Sequence, residues 1–167
     1  AAAPARIDAP PGAPTVAATA TGPGLPAAWY RAVTASRAAG ATDASMLTAP
    51  RALGDGDPAT AWAAERGDDG RGTVWNFRAT VAGGKAAAIR IVPSGDGAAG
   101  RGRAARLVVL AAGGGAVIDV PDPIATRAPR GQAYVAVLPT PLDGCVSIAL
   151  VDVHRGRGGA AIAELAV

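Results

Sequence analysis

The chain of 167 residues has very few cysteine, histidine, lysine and aromatic residues. Cys145 is the only cysteine, so the chain can form no internal disulfide and no zinc site built on cysteines. Its apolar surroundings predict a small buried side chain. His154 is the only histidine, and nothing places it beside a serine or cysteine as nucleophilic catalysis requires. No run of 18 apolar residues occurs, which argues against a membrane-spanning helix.

Sequence motifs of common enzymes are also missing. The glycine clusters lack the lysine of a phosphate-binding loop and the following helix of a dinucleotide-binding fingerprint. Neither GxSxG nor HExxH is present. Asp68 and Asp69 are neighbours in one loop, whereas paired catalytic carboxylates face each other across a cleft. The sequence therefore predicts a protein that is not an enzyme.

The charge is modest, with a formal net charge of +3, and Lys85 is the only basic residue of the sixteen Lys and Arg that is not arginine. Arginine suits carboxylates and phosphates, so an anionic partner is one interpretation. The alternative is that a GC-rich coding sequence uses arginine wherever a charge is needed. The densest group, Arg101, Arg103 and Arg106, lacks the aromatic residues of a nucleic-acid platform. We expect no binding to nucleic acid.

Small residues are abundant: the chain is 50% hydrophobic, with 23 glycines and 14 prolines. Residues 1–28, rich in Ala and Pro, are typical of an extended linker or arm, which leaves residues 29–167 as one domain. The N-terminus lacks the basic and apolar regions of a signal peptide and is typical of the stretch after signal cleavage. We therefore expect an exported protein: periplasmic, cell-surface or extracellular.

Short apolar runs separated by turn residues dominate the rest of the chain and predict strands. They are Thr73–Thr80, Ala86–Val92, Ala105–Ala111, Ala116–Val120, Ala133–Leu138, Cys145–Val153 and Ala160–Val167. Gly113–Gly115 predicts a hairpin turn, and the gaps are too short for parallel crossovers. Residues 26–40 fit a short helix or a strand equally well. The pattern predicts an all-β fold, an antiparallel sandwich or jelly roll.

One turn motif gives more specific information. Residues 55–62 read DGDPATAW, in which Asp, Gly and Pro form a turn directly before a threonine and a tryptophan. Other segments flank it in a fixed order: VTAS at 33–36, Glu65 with a glycine-rich loop, IRI at 89–91, Arg103, and IAEL at 162–165. This order resembles the discoidin-like (F5/8 type C, galactose-binding-like) superfamily, and within it the NADase-type glycan-binding domains of bacteria.

The resemblance covers residues 31–167 and implies a jelly-roll sandwich that binds a glycan through loops at one rim. It also implies that Trp62 packs in the core, and the alternation of residues 73–80 predicts the same for Trp75; the alternative is that both rings stack on a sugar. The sequence departs from the family pattern at Thr73, where a Glu is usual, and at Gly102, where an Asn is usual. Residues 94–100 lack the aromatic residues common in that loop, and such rings supply much of the affinity for sugars.

Several side chains are candidates for a site in such a fold. The charged rim loops predict a ligand-binding set, with solvated loops as the alternative: Glu65, Arg66, Asp69, Arg71, His154 and Arg155. Arg103 and Glu164 match family positions of opposite charge and predict a structural ion pair. Asp55 and Asp57 predict either a structural calcium site or Asx turns that bind their own backbone amides.

Two functions follow from these features. The first is a non-catalytic recognition module that binds a glycan or an anionic surface polymer through the rim loops. The second is a structural or assembly domain that contacts a partner protein in a larger envelope or secreted complex. The resemblance favours the first, and the lack of aromatic residues in the loops favours the second.

Overall fold

The computed structural model describes residues 12–21, 51–57, 59–78, 85–93, 100–111, 114–143 and 145–167. These residues form eleven strands and one short 3₁₀ helix, Arg51–Leu53. The strands are β1 (Thr15–Val16), β2 (Ala18–Thr21), β3 (Trp62–Ala63), β4 (Val74–Arg78), β5 (Lys85–Val92), β6 (Arg103–Ala111), β7 (Gly114–Asp119), β8 (Tyr134–Asp143), β9 (Cys145–His154), β10 (Ala161–Ile162) and β11 (Glu164–Ala166). No helix within these ranges is long and apolar enough to span a membrane.

The strands form two main sheets and one small one. A four-stranded sheet has the order β1-β8-β5-β11, a five-stranded sheet has the order β2-β7-β6-β9-β4, and β10 pairs with β3. Neighbouring strands run antiparallel, apart from β1, which runs parallel to β8. The predicted all-β, antiparallel character is therefore confirmed.

Both main sheets contribute to one apolar core. Alternate side chains of the inner strands point into it, as the two-residue period of a strand requires. Its fully buried members include Ile89 and Ile91 of β5, Leu107 of β6 and Ile148 and Leu150 of β9. Burying one such side chain contributes about 1.5–3 kcal/mol. Small residues in the loops therefore do not prevent a compact, sandwich-like core of Val, Ile and Leu.

The two tryptophans predicted to lie in the core do so. Trp75 on β4 is buried, and Trp62 on β3 is half-buried against the same cluster. Their rings meet edge to face, with centroids 4.9 Å apart and an interplanar angle of 83°. This geometry is favoured by the charge distribution of aromatic rings. The contact ties the small β3–β10 sheet to the five-stranded sheet.

The predicted strands in the second half of the chain are confirmed, with small differences at their ends. The hairpin at the glycine run is present, with Ala111 of β6 opposite Gly114 of β7. The last predicted strand, 160–167, is divided at Ala163 into β10 and β11. Strand β8 extends beyond the predicted end through Pro139 and Pro141. This is possible because a bulge opposite Ala86–Ala88 interrupts the pairing there.

The N-terminal boundary requires a correction. Residues 1–28 are predicted as an arm outside the domain, but β1 and β2 lie within that range. β1 pairs with β8 of the four-stranded sheet and β2 pairs with β7 of the five-stranded sheet, so the chain passes from one sheet to the other at Ala17. Val16 is buried in the core. Alanine- and threonine-rich composition concealed these strands because it is equally typical of linkers.

Some predictions fall on residues outside the described ranges. They concern the segment 94–99, the side chain of Cys145, and residues 26–40, whose sequence fits a helix or a strand equally well.

Candidate functional site

A cavity of about 390 Å³ lies at one rim, where the β3–β4 loop, the start of β6 and the β9–β10 loop meet. Its volume is at the lower end of the range for small-molecule sites. The wall combines charged side chains with glycine backbone: Asp69, Arg71, Gly102, Asp152, Val153, Arg155, Gly156 and Gly158. It therefore offers guanidinium groups, carboxylates and backbone atoms, and no aromatic ring.

The β3–β4 loop supplies one ion pair to this wall. Asp68 and Asp69 each accept the amide of the second residue after them, at 2.9 Å, which forms two Asx turns. The second carboxylate oxygen of Asp69 accepts a hydrogen bond from Nε of Arg71 at 2.6 Å and lies 2.6 Å from its Nη2. Burial opposes the charge of Asp69, but these bonds outweigh it and hold the pKa of Asp69 below its ordinary value. The loop thus carries a charged, geometrically fixed pair.

Glycines let the rim loops approach each other backbone to backbone. A Cβ on Gly156 would collide with the carbonyl of Arg101, and a Cβ on Gly159 would collide with the carbonyl of Asp68. Hydrogen bonds join the same loops: the amide of Arg157 donates to Gly100 at 2.7 Å, and that of Ala160 donates to Asp69 at 3.0 Å. The wall is therefore held by backbone contacts as well as by side chains.

Arg103 lies on the other side of the rim, and the partner in its ion pair differs from the predicted one. The guanidinium is buried and binds Asp122, with Nε to Oδ1 at 2.9 Å and Nη2 to Oδ2 at 3.2 Å. It also donates to the carbonyl oxygens of Arg101 and Arg155, both at 2.8 Å. The expected ion pair of Arg103 with Glu164 is thus wrong, because the β7–β8 loop brings a nearer carboxylate.

Glu164 lies on β11 of the four-stranded sheet, where Arg90 of β5 is its cationic neighbour at 3.7 Å. Its side chain is only 4% exposed, and its Oε1 has no hydrogen-bond partner. Burial, and then the adjacent Asp55 carboxylate, raise the pKa of Glu164 above its ordinary value, against the opposing charge of Arg90. A proton on Glu164 would supply the missing hydrogen bond towards Asp55.

Asp55 and Asp57 form the Asx turns that were the alternative to calcium binding. Asp55 accepts the Asp57 amide at 3.0 Å and the Thr60 hydroxyl at 2.8 Å, and Asp57 accepts the Ala59 amide at 2.9 Å. The Asp57 amide, and then the Thr60 hydroxyl, lower the pKa of Asp55 below its ordinary value. Within the described residues no three His, Cys, Asp or Glu side chains are grouped to hold a metal ion. The contacts of Asp55 and Asp57 therefore support Asx turns and not the calcium hypothesis.

The structure brings together three of the six residues predicted to bind a ligand. Asp69, Arg71 and Arg155 line the cavity. Glu65 and Arg66 are exposed on the same loop but are not part of its wall. The ring of His154 makes a 2.8 Å hydrogen bond to the carbonyl of Val120 through Nε2. This bond joins the end of β9 to the β7–β8 loop and gives His154 a structural role.

Asp152 is the charged residue of the cavity wall that the sequence does not predict. It lies near the end of β9 in a run, CVSIALVDVH, whose apolar alternation predicts a strand and nothing further. A bulge in the β6–β9 pairing places Asp152 opposite Arg106, and its charge contributes to raising the pKa of Arg71, after the dominant effect of Asp69. Only the pairing of distant strands brings this carboxylate to the cavity, so no local signal could reveal it.

A comparison with protein families, curated proteins and solved structures finds no match. The functional inference therefore rests on the residues of the cavity and on the sequence resemblance.

Proposed function

We propose that the chain is a non-catalytic recognition module with a discoidin-like jelly-roll fold that binds a glycan through its rim cavity. One observation carries the proposal: the β3–β4 loop, the end of β9 and the β9–β10 loop bring Asp69, Arg71, Asp152 and Arg155 to one cavity of about 390 Å³. Paired carboxylates and guanidinium groups accept and donate hydrogen bonds, as recognition of sugar hydroxyls requires. The sequence supports an exported location.

The chemistry of the wall favours binding over catalysis. The only histidine makes its hydrogen bond to a backbone carbonyl outside the cavity wall, and no serine, threonine or cysteine is among the lining residues. The carboxylate of Asp69 is held by Arg71 and by a backbone amide. These groups are arranged as fixed hydrogen-bonding partners.

The second candidate is a structural or assembly domain, which one feature of the five-stranded sheet favours. Its face away from the core carries a strip of aliphatic side chains, of which Val74, Val108 and Ala149 are buried and Leu110, Val117 and Val151 are half-buried. Aliphatic strips of this kind occur at protein contacts as well as within folds. The cavity has the more specific chemistry, so recognition is the function we propose.

A glycan array followed by titration calorimetry on the full chain tests the proposal. Arg71→Ala should weaken the best glycan about tenfold, since it removes a charged hydrogen-bond donor. Arg106→Ala is the matched control: Arg106 forms an equally exposed pair with Asp119 at 2.8 Å, outside the cavity, and its loss should leave affinity unchanged. Absence of binding to any glycan would contradict the proposal. Self-association of the chain in sedimentation experiments would then support the assembly function.

A further inference from the structure

We infer that the ligand of the rim cavity is an acidic glycan, whose sugar carboxylate binds Arg155 and whose neighbouring hydroxyls bind Asp152. This inference rests on the proposed function and names its ligand class.

Arg71 and Arg155 line the same cavity but differ in their partners. The guanidinium of Arg71 is bound by Asp69 through Nε and Nη2. The guanidinium of Arg155 has no acceptor within the described part of the chain, and Arg155 is an exposed residue that lines the cavity. A guanidinium presents two parallel N–H donors that match the two oxygens of a carboxylate. Arg155 is therefore the group in the cavity that can bind an anion.

The backbone of Arg155 is fixed even though its guanidinium is unpaired. Its carbonyl oxygen accepts Nη2 of the buried Arg103 at 2.8 Å, and two residues later the Arg157 amide donates to Gly100 at 2.7 Å. A side chain on a fixed backbone loses less conformational freedom when a ligand binds. The rim thus fixes the backbone from which the exposed Arg155 side chain extends.

Carboxylates in the same wall select against ligands that carry several anionic groups on one sugar. Asp152 uses one oxygen, Oδ1, to accept the amide of Val153 at 2.9 Å, and Oδ2 has no donor within the described part of the chain. Such an oxygen accepts hydroxyl groups and repels any anionic group close to it, so a sugar that carries several anionic groups, as in a polysulfate, is disfavoured. With Asp69 beside it, the cavity suits a ligand that combines one carboxylate with several hydroxyls. A hexuronic acid residue has this composition.

Titration of the full chain with four probes tests the inference: oligogalacturonate, alginate oligomers, the same oligomers with carboxyls reduced to hydroxymethyl groups, and dextran sulfate. A uronate oligomer should bind at least about tenfold more tightly than its reduced form and than dextran sulfate. Arg155→Gln should remove that preference. Arg157→Gln is the matched control, because Arg157 is exposed on the same loop and does not line the cavity; it should leave the preference unchanged.

The outcomes separate this inference from the proposed function. Equal binding of the uronate and reduced oligomers, or of dextran sulfate and uronate, would overturn the acidic-glycan inference and leave recognition of glycans in place. The same holds if only neutral glycans of the array bind. If neither these oligomers nor any array glycan binds, the proposed function fails and the inference fails with it.

Discussion

Arg103 and Asp122 form a two-point ion pair at one rim of the fold, with Nε to Oδ1 at 2.9 Å and Nη2 to Oδ2 at 3.2 Å. The side chains are 5% and 22% exposed. Because the same guanidinium donates to the carbonyls of Arg101 and Arg155, it holds the β9–β10 loop against the start of β6. One buried arginine therefore links the fold to the cavity wall.

Asp122→Asn should destabilise the chain by about 2 kcal/mol, since it leaves a buried guanidinium without its counter-charge. Asparagine keeps an oxygen that can accept the Ile124 amide, which Asp122 binds at 3.0 Å, so the loop turn itself is retained. The free energy of unfolding in urea measures the effect.

Asp119→Asn is the control for that substitution. Asp119 pairs with Arg106, also on β6, at 2.8 Å, but the two side chains are 60% and 51% exposed. Exposed pairs contribute about 0.2–1 kcal/mol because water screens them. Equal losses of stability in both variants would show that burial does not strengthen the Arg103–Asp122 pair.

Two glycines of the β9–β10 loop should respond differently to alanine. Gly156→Ala should destabilise the chain by about 3 kcal/mol, since its Cβ would collide with the Arg101 backbone. Gly158 has a φ of +79° and open space around its Cβ position, so Gly158→Ala should cost only about 1 kcal/mol of backbone strain. Thermal unfolding of both variants tests this order, and the reverse order would contradict the close approach of the two loops.

Much of the fold could be predicted because apolar alternation is a local property. The run CVSIALVDVH predicts β9, and the glycines after β6 predict the hairpin to β7; both are confirmed. β1 and β2 could not be predicted, because two to four residues of Ala, Thr and Val have no period that distinguishes a strand from a linker. Their strand character comes from the partner strands β8 and β7.

The site could be predicted only in part, for a related reason. Charged residues in glycine-rich loops are typical of a binding rim, and this pattern predicts Asp69, Arg71 and Arg155. The choice of partner depends on tertiary distances: Asp122 binds Arg103, and Glu164 instead lies beside Arg90. Family positions alone give no distances between loops, so they cannot reveal that a carboxylate from another loop lies closer to Arg103.

The corrected N-terminal boundary leads to a test of its own. Val16 of β1 is buried in the core, whereas Thr19 of β2 is exposed. Val16→Asp should therefore destabilise the domain by about 3 kcal/mol, as it removes apolar burial and places a charge in the core. Thr19→Asp should change the urea midpoint little. A negligible effect of Val16→Asp would indicate that residues 15–21 form an arm outside the domain.

The buried Glu164 beside Asp55 gives stability a specific pH dependence. Its pKa is raised in the folded chain, first by burial and then by Asp55, so the stabilisation that it contributes is complete below the ordinary value of 4.5 and is lost as pH rises through the folded value. The contribution of Asp122 to stability changes with pH in the opposite direction. Burial opposes its charge, but the Arg103 bond outweighs burial and lowers the pKa of Asp122 below its ordinary value, so its contribution is lost only in stronger acid.

Glu164→Gln should therefore gain stability relative to the unsubstituted chain as pH rises from about 4 to 7, because glutamine needs no proton to donate to Asp55. Urea unfolding of both chains across this range, in EDTA, measures the difference, and Asp119→Asn controls for the loss of one carboxylate. Parallel pH curves would show that the pKa of Glu164 is not raised in the folded chain. A rise in the midpoint of the unsubstituted chain on adding calcium, absent in Glu164→Gln, would instead show that Glu164 binds a cation, since a ligand specific to the folded state stabilises it.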